Sequence, residues 1–200
     1  MPSAHVVPAS QSLLARGPAR AKELGAAGVS RTELSRMVAA GTLRRLDRGL
    51  YALPGYTGGE HGTLVTVARR APAVVFCLLT ALQLHGLTTQ SPFEVWIAIG
   101  NKDHPPRLDY PPLRVVRFSP ASLAAGIETR EVDGVLIQVT NVAKTVADCF
   151  KFRSQVGSDV ALEALREARR ARLVTADDLW RYARIDRVAN VMRPYLEAIL

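Results

Sequence analysis

Apolar residues recur every three or four positions through roughly the first forty residues, and this spacing predicts three short helices. The first covers the segment SQSLLAR and ends at a Gly-Pro pair. The second lies in ARAKELGAAG, with Leu24 facing inward and Gly28 ending it. The third lies in RTELSRMVAA and is the most clearly amphipathic of the three.

The third helix has signals at both ends. Ser30 and Glu33 form a Ser-x-x-Glu capping box that starts the helix at Arg31, and Gly41 suits the left-handed position that ends it. Its apolar face comprises Leu34, Met37 and Val38. Its opposite face comprises Arg31, Thr32, Ser35 and Arg36.

The stretch GTLRRLDRGLYALP, which follows, loses the helical rhythm. Residues 43–46 and 50–53 predict two short strands, and Asp-Arg-Gly joins them in a turn whose glycine permits positive φ. We interpret Tyr51 as a packing residue of this hairpin. The ribbon is strongly basic, with Arg44, Arg45 and Arg48.

Two helices, a glycine-containing turn, a capped helix and a basic hairpin occur in the order of a winged helix-turn-helix domain. In such a domain the capped helix enters the major groove, and a hairpin can lie along the phosphate backbone. Arginine can read guanine with two hydrogen bonds, whereas Ser, Thr and the hairpin arginines more often contact phosphate. The predicted DNA-binding residues are Ser30, Arg31, Thr32, Ser35, Arg36, Arg44, Arg45 and Arg48.

The glycine-rich segment GYTGGEHG predicts a domain boundary, with a winged helix-turn-helix domain at 1–58 and a second domain at 59–200. The second domain begins with a helix, a buried strand running into another helix, and further strands, two of them joined at Asp133-Gly134 as a hairpin. From Asn141 onward the spacing predicts helices only, and Thr175 is an N-cap candidate. The fold class is therefore α+β with a helical C-terminal half.

The net charge of +8 is uneven. Residues 1–58 contain eight Lys and Arg against three Asp and Glu, giving +5, whereas residues 59–200 contain eighteen against fifteen, giving +3. The smaller domain is thus the more basic per residue, which suggests an anionic partner, although charge alone is equally compatible with an ordinary solvated basic surface.

The distribution of apolar residues also predicts where in the cell the protein is found. There is no uninterrupted apolar run of about 18 residues and no basic start followed by an apolar stretch, so we expect neither a membrane span nor a secretory signal. Cys77 and Cys149 lie among apolar residues and are expected to be buried thiols in a reducing compartment. We therefore predict a cytoplasmic protein.

Four segments together resemble the AbiEi family, the antitoxins of type IV toxin–antitoxin systems, in the branch with a winged-helix N-terminal domain. They are GVSRTELSRMVAAGTLRRLDRGLYALPG, TALQLHGLTTQ, VWIAI and TNVAKTVADCFKFR with the helices after it. The resemblance runs from about Ala19 to the C-terminus. It implies that the N-terminal domain represses its own operon by binding promoter inverted repeats, as a monomer that pairs on DNA. It also implies that the C-terminal domain counteracts a co-encoded nucleotidyltransferase toxin, with direct contact left open.

Other candidate sites have simpler explanations. A basic strip formed by Arg166, Arg169, Arg170 and Arg172 fits a solvated helix face paired with Glu163 and Glu167, the alternative being a second surface for DNA flanks or RNA. Lys144 and Asp148 are expected to form an i,i+4 helix pair, and His85 a packed histidine. The histidines and cysteines lack ligand spacing, so we expect no metal or other cofactor.

Two rival functions stay open. One is a nuclease-like domain fused to the DNA-binding domain, since EVDGVLIQVT superficially resembles a metal-nuclease strand pair. Gln138 and Thr140 stand where that chemistry needs a carboxylate and a lysine, and Asp133 fits a turn, so we expect no enzyme activity. The other is a winged-helix protein unrelated to a toxin, either a transcriptional regulator or a module that docks a protein partner without steep salt dependence.

Overall fold

The computed structural model describes residues 8–15, 17–56, 61–90, 92–108 and 110–199. The chain divides into two compact units. The first consists of Met1–Ala73, Pro106–Pro111 and Glu131–Ile137, and the second of Val74–Pro105, Pro112–Arg130 and Gln138–Leu200. Each unit is therefore assembled from separate stretches of the chain.

The first unit contains the three predicted N-terminal helices. They are α1 (Pro8–Ala15), α2 (Ala21–Ala26) and α3 (Arg31–Ala39). A three-stranded antiparallel sheet accompanies them, made of β1 (Ala19–Arg20), β2 (Arg44–Asp47) and β3 (Leu50–Ala52) in the order β1-β3-β2. A fourth helix, α4 (Gly62–Arg70), completes the unit. The predicted helices and hairpin are confirmed, and this arrangement is compatible with a helix-turn-helix domain.

Strand β1 is absent from the sequence prediction. It has two residues, Ala19 and Arg20, which pair with Tyr51 and Leu50 of β3. So short a strand shows no alternation of its own and forms because β3 offers it a free edge. The core beneath this sheet and its helices comprises Leu14, Ala19, Leu24, Val29, Leu34, Met37 and Leu43, with Tyr51 packed against it as predicted.

The end of α3 fixes where the hairpin begins. Gly41 has φ +69°, and its N–H donates to the carbonyl of Val38 while the N–H of Thr42 donates to that of Met37. These two bonds form a Schellman motif, which satisfies carbonyls left over at the helix end. Gly41 is therefore the predicted terminator, and the chain turns there into β2.

Helix α4 follows the glycine-rich segment and groups with the first unit. Nη1 of Arg69 lies 2.5 Å from Oε1 of Glu23, and Nη2 of Arg20 donates to the carbonyl of Arg70 at 2.5 Å. Residues 57–60, the middle of the predicted boundary, lie outside the described residues. Independent folding of 1–58 and 59–200 stays a prediction.

The second half of the chain begins with a mixed sheet. Its strands are β4 (Val75–Phe76), β5 (Val95–Gly100), β6 (Leu113–Phe118), β7 (Ile127–Val132) and β8 (Val135–Thr140), in the order β6-β5-β4-β8-β7. β4 pairs antiparallel with β5 and parallel with β8, and β5 pairs parallel with β6. Asp133 and Gly134 join β7 to β8 with φ of +48° and +74°, the positive values of a type I′ turn. Two helices, α5 (Leu78–Leu84) and α6 (Pro120–Ala124), lie between strands.

The C-terminal half is helical from Val142, as predicted. Its helices are α7 (Val142–Lys151), α8 (Arg153–Val156), α9 (Ser158–Arg170), α10 (Ala176–Ile185) and α11 (Ala189–Ile199). Asn141 and Thr175 cap α7 and α10, each accepting a hydrogen bond from the backbone N–H three residues later. Helix α7 is the centre of this part, since Ala143–Phe150 are all buried and join one core with α9, α10 and α11.

Gly126 sits where the helical core leaves no room for a side chain. Its φ is +66°, and a Cβ built there would lie 2.8 Å from Cβ of Lys144 and 2.8 Å from Cε1 of Tyr182. Gly86 has nearly the same φ, +68°, with nothing within 4 Å of its Cβ position. Comparing Gly126 with Gly86 therefore distinguishes the cost of a strained backbone from the cost of a steric clash.

We expect Gly126→Ala to destabilise the protein more than Gly86→Ala. Both substitutions place alanine in a left-handed conformation at a cost of roughly 1–2 kcal/mol, and the clash at Gly126 adds about 1–3 kcal/mol. Urea unfolding of the two full-length variants measures the difference. Equal losses would mean that the backbone at Gly126 shifts freely to admit a methyl group.

Candidate nucleic-acid interface

Helix α3 presents its predicted polar face to solvent. Leu34 and Met37 are buried in the core of the first unit, and Val38 packs against it. Because these residues hold one side of the helix inward, the residues on the other side point outward. The exposed set comprises Arg31, Thr32, Ser35 and Arg36.

The start of α3 differs in one detail from the predicted capping box. Oγ of Ser30 accepts a hydrogen bond from the N–H of Glu33 at 3.1 Å, which confirms Ser30 as the N-cap. The Glu33 carboxylate was expected to reach back to the backbone N–H of Ser30. Instead, both of its oxygens accept hydrogen bonds from Nη2 of Arg36, each at 2.6 Å. A hydroxyl that accepts at a cap can still donate, so the cap is compatible with a phosphate contact by Ser30.

The polar side chains of Ser35 and Arg36 make only weak contacts within α3. Oγ of Ser35 donates to the carbonyl of Arg31 at 3.2 Å, a bond within the helix itself. Arg36 is 58% exposed at its side chain, and exposed ion pairs of this kind contribute about 0–1 kcal/mol. The Glu33–Arg36 pair therefore contributes little to the stability of the fold.

The hairpin carries its arginines on an irregular ribbon. Arg44 pairs with Ala52 and Arg45 with Tyr51, and the register shifts between Arg45 and Asp47, which is a β-bulge. Bulges bend a strand and increase its twist. The turn between the strands contains Arg48 and Gly49, the latter at φ +75°. Arg44, Arg45 and Arg48 are all exposed, so their placement agrees with the predicted basic ribbon.

The helices and strands of this unit are compatible with a regulator of the helix-turn-helix class. Residues 11–54 match the protein-family model described as "Transcriptional regulator, AbiEi antitoxin". The predicted resemblance to AbiEi-type antitoxins is thereby confirmed. The matched segment contains α2, α3 and the hairpin, and with them all eight predicted DNA-binding residues. A comparison of the chain with curated proteins found no match.

The second predicted basic surface lies at the end of α9. Arg166, Arg170 and Arg172 are exposed, and Nη2 of Arg170 lies 2.6 Å from Oε2 of Glu167. Arg169 and Arg170 are in the last helical turn and Asp159 is in the first. Cations near a helix C-terminus and acids near its N-terminus are stabilised by the helix dipole, so the strip has a structural explanation. A role in anion binding stays a prediction.

Lys144 and Asp148 form the predicted i,i+4 pair, but in a setting that the sequence did not indicate. Both have 0% exposure, and Nζ of Lys144 contacts Oδ1 of Asp148. The same Nζ lies 3.1 Å from Oδ2 of Asp186 and 3.2 Å from Oγ of Ser122. An ammonium has three N–H donors, so these three partners can use all of them. We call Ser122, Lys144, Asp148 and Asp186 the buried ionic cluster.

The charges of the buried ionic cluster do not cancel within it. Oγ of Ser122 donates to Oδ1 of Asp186 at 2.6 Å, and Nζ of Lys151 approaches the same oxygen to 3.7 Å from the partly exposed rim. Oδ2 of Asp148 is buried without a hydrogen-bond partner. Burial raises the pKa of Asp148 well above its ordinary value; Lys144 opposes this increase and Asp186 adds to it. The cluster thus favours a proton on Asp148.

A serine beside a lysine can be a nucleophile and its base, and Ser122 and Lys144 have that spacing. Ser122, Lys144 and Asp148 all have 0% exposure, however, so no substrate reaches them in this conformation. The geometry favours a structural cluster that ties α6 and the end of α10 to α7. Sequence reasoning missed Asp186 because it lies 42 residues from Lys144 and follows an ordinary surface helix.

The other titratable candidates have packing roles. Nε2 of His85 lies 2.7 Å from the carbonyl of Thr140, and burial lowers the pKa of this histidine, which keeps the ring neutral. Cys77 and Cys149 are free and buried, and burial raises the pKa of both thiols, so they are poor nucleophiles. Asp133 lies in the β7–β8 turn, as predicted.

The residues that the structure describes also bear on metal ions and membranes. Within those ranges, three or more His, Cys, Asp or Glu side chains nowhere come together as a group that could hold a metal ion. Over the same residues, each helix is too short or too polar to cross a membrane.

We expect Lys144→Met to lower the free energy of unfolding by about 3–5 kcal/mol, because it leaves the buried Asp186 carboxylate without its cation and the buried Asp148 carboxyl group without its hydrogen-bond donor. Lys151→Met is the matched control, since Lys151 is 26% exposed and only borders the cluster. Its loss should be about 1 kcal/mol or less. Chemical denaturation of both variants near neutral pH measures the two losses, and similar losses would contradict the assigned role of Lys144.

Proposed function

We propose that this protein is a promoter-binding antitoxin in which α3 enters the major groove of DNA and the β2–β3 hairpin acts as the wing. The observation that carries this proposal is the outward basic face of α3, followed in the same matched segment by an exposed basic hairpin. An α-helix with its side chains is about 10–12 Å in diameter, which suits insertion of α3 into a major groove about 12 Å wide.

Within this interface we assign different tasks to the two elements. The arginines of α3, above all Arg36, would read base edges, since the major groove distinguishes all four base pairs. Ser30, Thr32 and Ser35 would hold phosphates. The hairpin residues Arg44, Arg45 and Arg48 would follow the phosphate backbone and add affinity without sequence preference.

The regulated unit, on this proposal, is the operon that encodes the protein itself. By the AbiEi resemblance, the protein binds inverted repeats in its own promoter, as a monomer that pairs on DNA. The same resemblance supports a type IV system, in which the protein neutralises a nucleotidyltransferase toxin encoded by an adjacent gene. Both proteins would act in the cytoplasm. The protein itself would be no enzyme, because the side chains that come closest to a catalytic arrangement are sealed in the buried ionic cluster.

We expect Arg36→Ala and Arg48→Ala to weaken DNA binding in different ways. Arg36→Ala should cost about 1–3 kcal/mol on the promoter and relax sequence preference, because a base reader is lost. Arg48→Ala should weaken all duplexes alike and reduce the slope of log K against log salt by about one, because one phosphate contact is lost. Fluorescence anisotropy on promoter and scrambled duplexes, at several salt concentrations with EDTA present, measures both effects.

Lys102→Ala is the matched control, because it removes one exposed positive charge from a loop of the second unit. It should leave promoter binding nearly unchanged. If Arg36→Ala and Arg48→Ala bound both duplexes as the wild type does, α3 and the hairpin would not be the DNA interface. Cleavage of the duplex on replacing EDTA with Mg²⁺ would favour the nuclease alternative.

We expect repression and protection from the toxin to be separable by point substitutions in the full chain. Arg31→Ala and Arg36→Ala change exposed side chains of α3, so they should abolish promoter repression while the fold is kept. Protection against the nucleotidyltransferase encoded by the adjacent gene should persist. A promoter–reporter assay and a toxin co-expression assay, at matched protein levels, measure the two activities.

Two results would revise this division. Loss of protection by the α3 variants would place the antitoxin activity in DNA binding or in the N-terminal unit. Failure of the wild type to protect against any adjacent gene product, with promoter binding intact, would favour a regulator unrelated to a toxin.

A further inference from the structure

Glu33 is an unexpected residue on a helix that faces DNA. It is the one acidic residue in the sequence of α3, RTELSRMVA, and its side chain is 27% exposed. A carboxylate near the phosphate backbone opposes binding through charge repulsion. Glu33 also lies in the first turn of α3, where the helix dipole stabilises an acid, so a role toward DNA has to be separated from this contribution to helix stability.

The N-cap does not supply that role. The capping bond of α3 uses the backbone N–H of Glu33, which any residue except proline would provide. The carboxylate itself accepts from Nη2 of Arg36 through both oxygens, at 2.6 Å each. Its closest partner is thus the arginine that we assign to base reading.

The pair leaves Arg36 equipped to bind a base. A guanidinium carries five N–H groups, and those on Nε and Nη1 lie outside the Glu33 contact. Residues three apart on a helix are neighbours on its surface, so Glu33 can restrain Arg36 through Nη2 alone. A two-bond contact with guanine pairs Nη2 with Nε or Nη1, so the two N–H groups of Nη2 would serve Glu33 and the base together. A restrained arginine loses less side-chain freedom on binding than a mobile one.

We propose that Glu33 is a positioning residue that holds Arg36 for base reading and disfavours its use as a general phosphate contact. This inference rests on the proposed function, since it needs α3 to face DNA. Glu33 thereby lowers the affinity for non-specific DNA and raises the ratio of promoter affinity to non-specific affinity. The partner chemistry is duplex DNA with a guanine edge in the major groove opposite Arg36.

The test compares wild type and Glu33→Gln in the full chain, with and without Arg36→Ala. One duplex carries the DNA upstream of the protein's own gene, and the other is a scramble of the same length and composition. Glu131→Gln is the matched control, because Glu131 is an exposed acid of the same unit, on β7 rather than α3. Thermal unfolding of each variant reports any loss of helix stability.

We expect Glu33→Gln to raise affinity for the scrambled duplex by about 2-fold to 5-fold, because one repulsive charge is removed. The ratio of promoter to scrambled affinity should fall by about 3-fold to 10-fold, because Arg36 is no longer held in place. In the Arg36→Ala background, Glu33→Gln should leave this ratio unchanged. Glu131→Gln should leave it unchanged in either background.

Four results would overturn the inference, and they differ in what else they reject. A wild type that does not distinguish the two duplexes would reject the proposed function as well. An unchanged ratio in Glu33→Gln, alongside a reduced ratio in Arg36→Ala, would reject only the positioning role. The positioning role alone would also be rejected if Glu33→Gln lowered the ratio of promoter to scrambled affinity equally with and without Arg36. It would be rejected likewise if Glu33→Gln lowered the melting temperature and left the ratio unchanged.

Discussion

The buried ammonium of Lys144 is the constraint on which the helical part of the structure depends. A charge at 0% exposure is tolerated only if it is paired and fully hydrogen-bonded. Lys144 meets this condition with groups from three places: Asp148 on its own helix, Ser122 on α6 and Asp186 at the end of α10. An arrangement that moved any of these groups away from α7 would leave the remaining buried charges without a partner, which is energetically costly. The pairing thus selects one packing of these helices, although it is weak evidence for high stability.

Packing around the buried ionic cluster also explains why position 126 is a glycine. Cβ of Lys144 and the ring of Tyr182 approach Gly126 so closely that no side chain fits there. The backbone N–H of Asn141 donates to the carbonyl of Gly126, and the Asn141 side chain both caps α7 and donates to the Tyr182 hydroxyl. Polar groups that bring α7 close to β7 and α10 are therefore satisfied locally, which is what a dense, partly polar core requires.

Sequence pattern predicted the features that local chemistry controls. The Ser30 cap, the Gly41 terminator, the hairpin turn at Gly49 and the helices after Asn141 all follow from signals a few residues wide. It failed where partners are distant in the chain. Strand β1 exists only through pairing with β3. A local miss is Glu33, whose carboxylate accepts from Arg36, three residues away, instead of from the backbone N–H of Ser30. Asp186 gave no sign of its role, because a single aspartate after a helix is common. The proposed interface, unlike the cluster, consists of exposed residues whose conformation the fold does not dictate.

The segment TNVAKTVADCFKFR carries much of the resemblance in the C-terminal half, yet its structure makes it a poor candidate for contact with a toxin. Ala143–Phe150, the middle of this segment, is buried throughout, and its charged members serve the buried ionic cluster. A buried segment is constrained mainly by core packing, so a resemblance in it bears on the fold rather than on a binding partner. On the proposed function, contact with a toxin, its substrate or flanking DNA would therefore belong to exposed side chains, such as the arginines at the end of α9. Exposed positions can change without unfolding the protein, so proteins that share a core of this kind can differ in the partners they bind.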